Sequence, residues 1–105
     1  MLSEMQILVG QYQAMMLRTG SHRWFETVCD GLESLMERYP KKRKPSDFDR
    51  MDIEDWQAEL RLTAKSPGVL RKWRQGCSSF FRWLAKTKPA YYTLANPASS
   101  RRFQL

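Results

Sequence analysis

Apolar residues recur along this chain at steps of three and four, and the runs are broken by glycine, proline and serine. Ile7, Leu8, Tyr12, Met15 and Met16 fall near a helical period and predict a first helix over residues 3–17. It stops at the stretch RTGS, where Gly20 can take the positive φ that ends helices, and Ser21 then caps a second helix over 22–39. In that helix Phe25, Val28, Leu32, Leu35, Met36 and Tyr39 make one apolar stripe, and Pro40 ends it. A basic loop, PKKRKPSD, follows between two prolines. Asp49 begins a third helix, with Asp52 three residues on as in a capping box, and Ile53, Trp56 and Leu60 form its buried edge. Ser66 caps and Pro67 opens a fourth helix, which runs to Lys86 and is closed by Lys88-Pro89. No stretch alternates with period two for long enough to be a strand, so the expected architecture is all-α.

Composition narrows this picture. A chain of 105 residues has room for one domain, and an apolar fraction of 42% with four tryptophans suffices for a core. No apolar run is long enough to cross a bilayer, and the opening MLSEMQILVGQYQ lacks the basic start and cleavage site of a signal peptide. Cys29 and Cys77 stand alone in helical patterns beside a single histidine, His22, which is too thin a set for zinc and a poor disulfide framework. Both read as reduced, half-buried packing residues of a cytoplasmic protein with no cofactor. Trp56, Trp73 and Trp83, at helical spacings, read as core residues rather than platforms for stacked bases, and His22 as an exposed first-turn residue.

Charge changes the picture more. Up to Pro40 the chain carries three basic residues against five acids; from Lys41 onward it carries fifteen against six, within an overall net charge of +7. No acid follows Glu59, while ten lysines and arginines do. Such segregation creates a field of one sign that attracts polyanions. The fourth helix concentrates it. At about 100° per residue, Arg71, Arg74, Gln75, Ser78, Arg82 and Lys86 fall within an arc of about 120°, nearly opposite Leu70, Trp73, Cys77, Phe80, Phe81 and Leu84. A solvated helix face normally mixes signs to gain i,i+4 pairs, whereas this arc contains no Asp or Glu. Its length, about 28 Å, and its width fit a major groove; arginine and glutamine pair with base edges, lysine and serine with phosphate. The reading requires these cations to face outward, clear of the acids of the third helix. Lys42 and Arg43 are further candidates, in a loop that either clamps a phosphate backbone or is simply solvated.

Four stretches, in order, carry a resemblance. LVGQYQAMMLRTGSHRWFETVCDGLESLM, FDRMDIEDWQAEL, SPGVLRKWRQGCSSFFRWLAK and LANPASS together resemble the N-terminal core-binding domain of the tyrosine recombinase, or phage integrase, family over nearly the whole chain. The resemblance implies a four-helix SAM-like fold of two helical hairpins packed crosswise, spanning residues 1–98. It implies binding of double-stranded DNA in integration and recombination, with helices in the major groove. Carried over by position, the groove-facing residues are Arg71, Lys72 and Gln75 on the fourth helix and Arg23, Trp24 and Thr27 near the start of the second. Many relatives have threonine at the positions of Trp24 and Gly68; at Gly68, backbone amides of the helix start can hold phosphate instead. The implied partners are duplex DNA, a C-terminal catalytic domain reached through a linker beginning at 99–105, and further recombinase protomers on the assembled site. The fragment itself is expected to be monomeric.

The family's chemistry needs a nucleophilic tyrosine among Arg, Lys and His residues that stabilise the reacting phosphate. Tyr91-Tyr92 lacks such surroundings in the sequence and reads as packing, so the chain by itself is expected to hold no catalytic residue. Two other readings stay open: a helical protein-interaction module with an acidic partner, and a stand-alone helical DNA-binding regulator. The first helix either packs on the core or reaches a neighbouring protomer.

Overall fold

Four helices form: α1 (Glu4–Thr19), α2 (His22–Arg38), α3 (Arg50–Leu62) and α4 (Pro67–Thr87), with single 3-10 turns at Pro45–Asp47 and Pro89–Tyr91. The structure is a computed structural model that describes residues 1–20, 22–63 and 65–99; no strand occurs among them, and no helix is long and apolar enough to cross a membrane.

Local chemistry sets the helix starts. The Ser3 hydroxyl accepts from the Gln6 amide at 3.2 Å while the Gln6 side chain accepts from the Ser3 amide at 2.8 Å. The same reciprocal box joins Asp49 and Asp52, with both bonds at 2.9 Å, as the sequence predicts. Ser66 accepts from the Val69 amide at 3.2 Å, and Pro67 occupies the first turn of α4, where its missing N–H costs nothing. The end of α1 differs from expectation. Gly20 is extended, with φ −108°, because its amide bonds straight back to the Met16 carbonyl at 2.7 Å and needs no left-handed residue. The cap expected at Ser21 lies outside the described residues.

The core forms where α2 crosses α4. Val28, Leu32 and Leu35 meet Cys77, Phe80, Phe81 and Leu84, all of them buried. Two glycines let the backbones approach. A Cβ on Gly31 would lie 3.0 Å from the Trp73 carbonyl oxygen, and one on Gly76 would lie 3.1 Å from the Val28 Cα. Both obstacles are backbone atoms, so neither can swing aside.

The remaining elements close around this crossing. α3 inserts Ile53 and Trp56, whose indole N–H donates to the Ser34 hydroxyl at 3.0 Å, while buried Gln57 donates to the Leu70 carbonyl at 3.1 Å. Phe48 fills the space between the Tyr39 and Phe81 rings. α1 packs on the core through Met5, Leu8, Val9, Tyr12 and Met16, with the Tyr12 ring 5.6 Å from Phe80 and 5.3 Å from Trp83. Ile7, expected in that stripe, is 46% exposed instead; the true stripe passes through Met5 and Val9, about 160° away from Ile7 around the helix. Trp56 is core, and Trp73 and Trp83 are half-buried, each covered by a lysine ammonium lying 5.2 Å (Lys65) or 5.3 Å (Lys88) from its ring. Cys77 is fully buried and Cys29 half-buried, and both are free thiols; burial pushes both above the ordinary thiol range.

Candidate nucleic-acid interface

The cations of α4 divide into two groups. Arg71, Lys72, Gln75, Arg82 and Lys86 are exposed, and none of these cations forms an ion pair among the described residues. Arg71, Gln75, Arg82 and Lys86 form a row about 60° wide and about 22 Å long along the helix.

Arg74 belongs to the second group. Its Nη1 meets the Glu54 carboxylate of α3 at 2.6 Å, its Nε donates to the Ala98 carbonyl at 3.2 Å and its Nη2 to the Ser99 carbonyl at 3.3 Å. Its side chain is only 15% exposed. Ser78 is buried, and the Asn96 amide donates to its carbonyl at 2.9 Å and its hydroxyl at 3.1 Å. Asn96 in turn accepts from the Ala98 amide at 3.0 Å, so the segment after Tyr91 folds back along α4 and covers one edge of the arc. Arg74 and Ser78, both candidates from the sequence, are thereby committed to holding that segment, because they lie on the edge of the arc nearest to it.

The acids of α3 account for the rest of this division. Glu54 takes Arg74, Asp52 takes Lys42 at 3.2 Å, and Glu59 takes Arg38. The basic loop is correspondingly pinned rather than simply solvated. The Asp47 carboxylate accepts from the Arg43 and Lys44 amides at 3.1 Å, Lys42 donates to the Asp47 carbonyl at 2.9 Å, and the Arg43 carbonyl accepts from Met5 at 2.8 Å. Lys42 is therefore engaged inside the molecule, while the Arg43 side chain is exposed.

The start of α2 lies beside the cationic row. A groove of about 440 Å³ is lined by Trp24 from α2 and by Arg71, Arg74, Gln75, Ser79 and Arg82 from α4. Among the described residues no carboxylate lines it. Trp24 is half-buried against the core and Arg23 is exposed, so the two helices bring together residues separated by almost fifty positions in sequence. Thr27 is half-buried and spends its hydroxyl on the Arg23 carbonyl at 3.1 Å. Gly68 sits in the first turn of α4 with open space around it, the nearest atom to a Cβ there being the Ser66 hydroxyl at 3.9 Å. Ser79, Asn96 and Ala98 are not among the site candidates read from the sequence, although LANPASS contributes to the family resemblance. Ser79 lies outside the arc, and nothing in the local pattern announces that Asn96 grips α4.

Among the described residues, no group of three or more His, Cys, Asp or Glu side chains comes together that could hold a metal ion. Chemically the surface offers hydrogen-bond donors and positive charge to an extended anion. Comparison with known proteins identifies no relative: no family model, curated protein or solved structure matches the chain.

Proposed function

We propose that this chain binds double-stranded DNA along the exposed row of α4, as the core-binding domain of a cytoplasmic site-specific recombinase of the tyrosine (phage integrase) type. One observation carries the reading. The acids of α3 neutralise Arg38, Lys42 and Arg74, yet among the described residues the row formed by Arg71, Gln75, Arg82 and Lys86 is left unpaired and exposed, with no carboxylate lining the adjoining groove. A surface built only for solubility gains by pairing such charges; one built for a polyanion gains by leaving them open.

In this reading Arg71 and Gln75 face base edges, and Arg82, Lys86 and Lys72 hold phosphates on either side. Arg23 and Trp24 extend the contact from α2, whereas Arg43 lines a different hollow together with Glu33 and Glu37. Arg74 and Ser78 serve indirectly, by fixing the segment from Asn96 to Ser99 against α4 so that the row stays uncovered. The order of the four family-like stretches and the all-α, four-helix architecture both agree with a SAM-like core-binding domain. DNA integration and recombination then need a separate C-terminal catalytic domain, because the chain contributes binding and no chemistry of its own. Of the two tyrosines expected to pack, Tyr91 is buried and does so, while Tyr92 is 57% exposed.

The test is fluorescence anisotropy with a labelled duplex of about 20 base pairs at low salt. Wild-type protein should bind saturably, and the Arg71→Gln, Arg82→Gln double variant should bind at least tenfold more weakly with unchanged helicity. Absence of binding, or equal binding by the double variant, would overturn the proposal.

A further inference from the structure

α1 is unlike the other helices. It has only two charged residues, Glu4 and Arg18, whereas each of the others has at least five. One face is buried through Met5, Leu8, Val9, Tyr12 and Met16. The opposite face carries Ile7, Gly10, Ala14 and Leu17, all exposed, with Ile7 at 46% and Leu17 at 56%, and a Cβ on Gly10 would meet nothing within 4 Å. A helix that is apolar on both faces normally has both covered.

The outer stripe has a register. Ile7, Gly10, Ala14 and Leu17 follow the alternating three- and four-residue steps of a coiled-coil seam, with the two smallest side chains in the middle. Glu4, Gln11 and Arg18 occupy one flanking position at seven-residue intervals, so the charges sit at opposite ends with a neutral amide between them. This arrangement is self-complementary only when two copies run antiparallel. Ile7 then meets Leu17 of the second copy, Gly10 meets Ala14, and Glu4 meets Arg18 at both ends, with Gln11 facing Gln11 near the two-fold axis. A parallel pair would lose this matching of opposite ends.

We infer that α1 is a self-association surface, through which two copies of this chain pair by an antiparallel, two-fold contact between their first helices. The inference is independent of the DNA reading, since no cation of the α4 row takes part. It departs from the monomer expected from the sequence, where only one face of α1 was counted as apolar. A seam of four small or medium side chains is modest, so the pairing is weak and concentration-dependent.

Sedimentation equilibrium of the full chain up to about 1 mM, in about 0.3 M salt to screen the +7 charge of each copy, tests this. The average mass should rise from 12.5 kDa towards twice that value. Ala14→Glu, at an exposed position, should hold the protein monomeric. Glu4→Arg and Arg18→Glu should each weaken association about tenfold, because two pairs per dimer turn from attraction to repulsion, and the double exchange should restore it. A bifunctional maleimide should also link Gln11→Cys to itself across the axis, in a background lacking Cys29. A monomer throughout, a dimer indifferent to Ala14→Glu, or a double exchange that fails to restore pairing would each overturn the inference.

Discussion

Arg71 and Arg74 are three residues apart on one helix, carry the same charge, and have opposite fates. Arg74 is held by Glu54 and by two backbone carbonyls, so Arg74→Ala should cost about 2 kcal/mol of stability, the scale of hydrogen bonds to a charged group, measured by urea denaturation. Arg71→Ala should leave stability within about 0.5 kcal/mol, as surface changes do, and instead cost roughly 1–3 kcal/mol of binding to a preferred duplex if it contacts a base. Equal losses on preferred and random duplexes would make it a phosphate contact. The cysteines give a second residue-scale test. Burial holds the Cys77 thiol well above its ordinary range, so at neutral pH it should resist alkylation until the protein unfolds, while half-buried Cys29 should react slowly; mass spectrometry after iodoacetamide treatment separates the two. The sequence showed that Arg71 and Arg74 share a cationic arc, but not that a distant segment ending at Ser99 would cover one edge of it. That information lies in tertiary contacts across 18 to 25 residues.

At the scale of helices, the starts of α1, α3 and α4 rest on short polar exchanges that sequence displays openly, and the box at Asp49 and the cap at Ser66 appear as read. Helix faces are less legible where both sides are apolar. On α1 the apolar residues satisfy two competing stripes, which is why Ile7 was assigned to the core and Met5 and Val9 were not. The α2–α4 crossing was invisible for a different reason: Gly31 and Gly76 matter through the side chain they lack. Gly76→Ala places a Cβ 3.1 Å from the Val28 Cα and should destabilise by roughly 1–3 kcal/mol, outweighing the gain of about 1 kcal/mol in helix propensity. Gly10→Ala meets open space and should stabilise the chain by about 0.5–1 kcal/mol. Thermal and urea unfolding of the two variants should therefore move in opposite directions.

Over the whole molecule, charge is sorted by helix. α3 is the acidic counterweight: its carboxylates pair with Arg38, Lys42 and Arg74, and what remains of the positive charge on α4 faces outward. The net charge of +7 therefore understates the local field along that row. The salt dependence of duplex binding reads this field out. With about five phosphates neutralised, log K should fall with log salt at a slope near −4.5, and the Arg71→Gln, Arg82→Gln double variant should flatten that slope by about 1, since Arg82 is the phosphate contact it removes. A slope near zero for the wild-type chain, or one that the double variant leaves unchanged, would contradict the claim that this face of α4 lies along a nucleic acid.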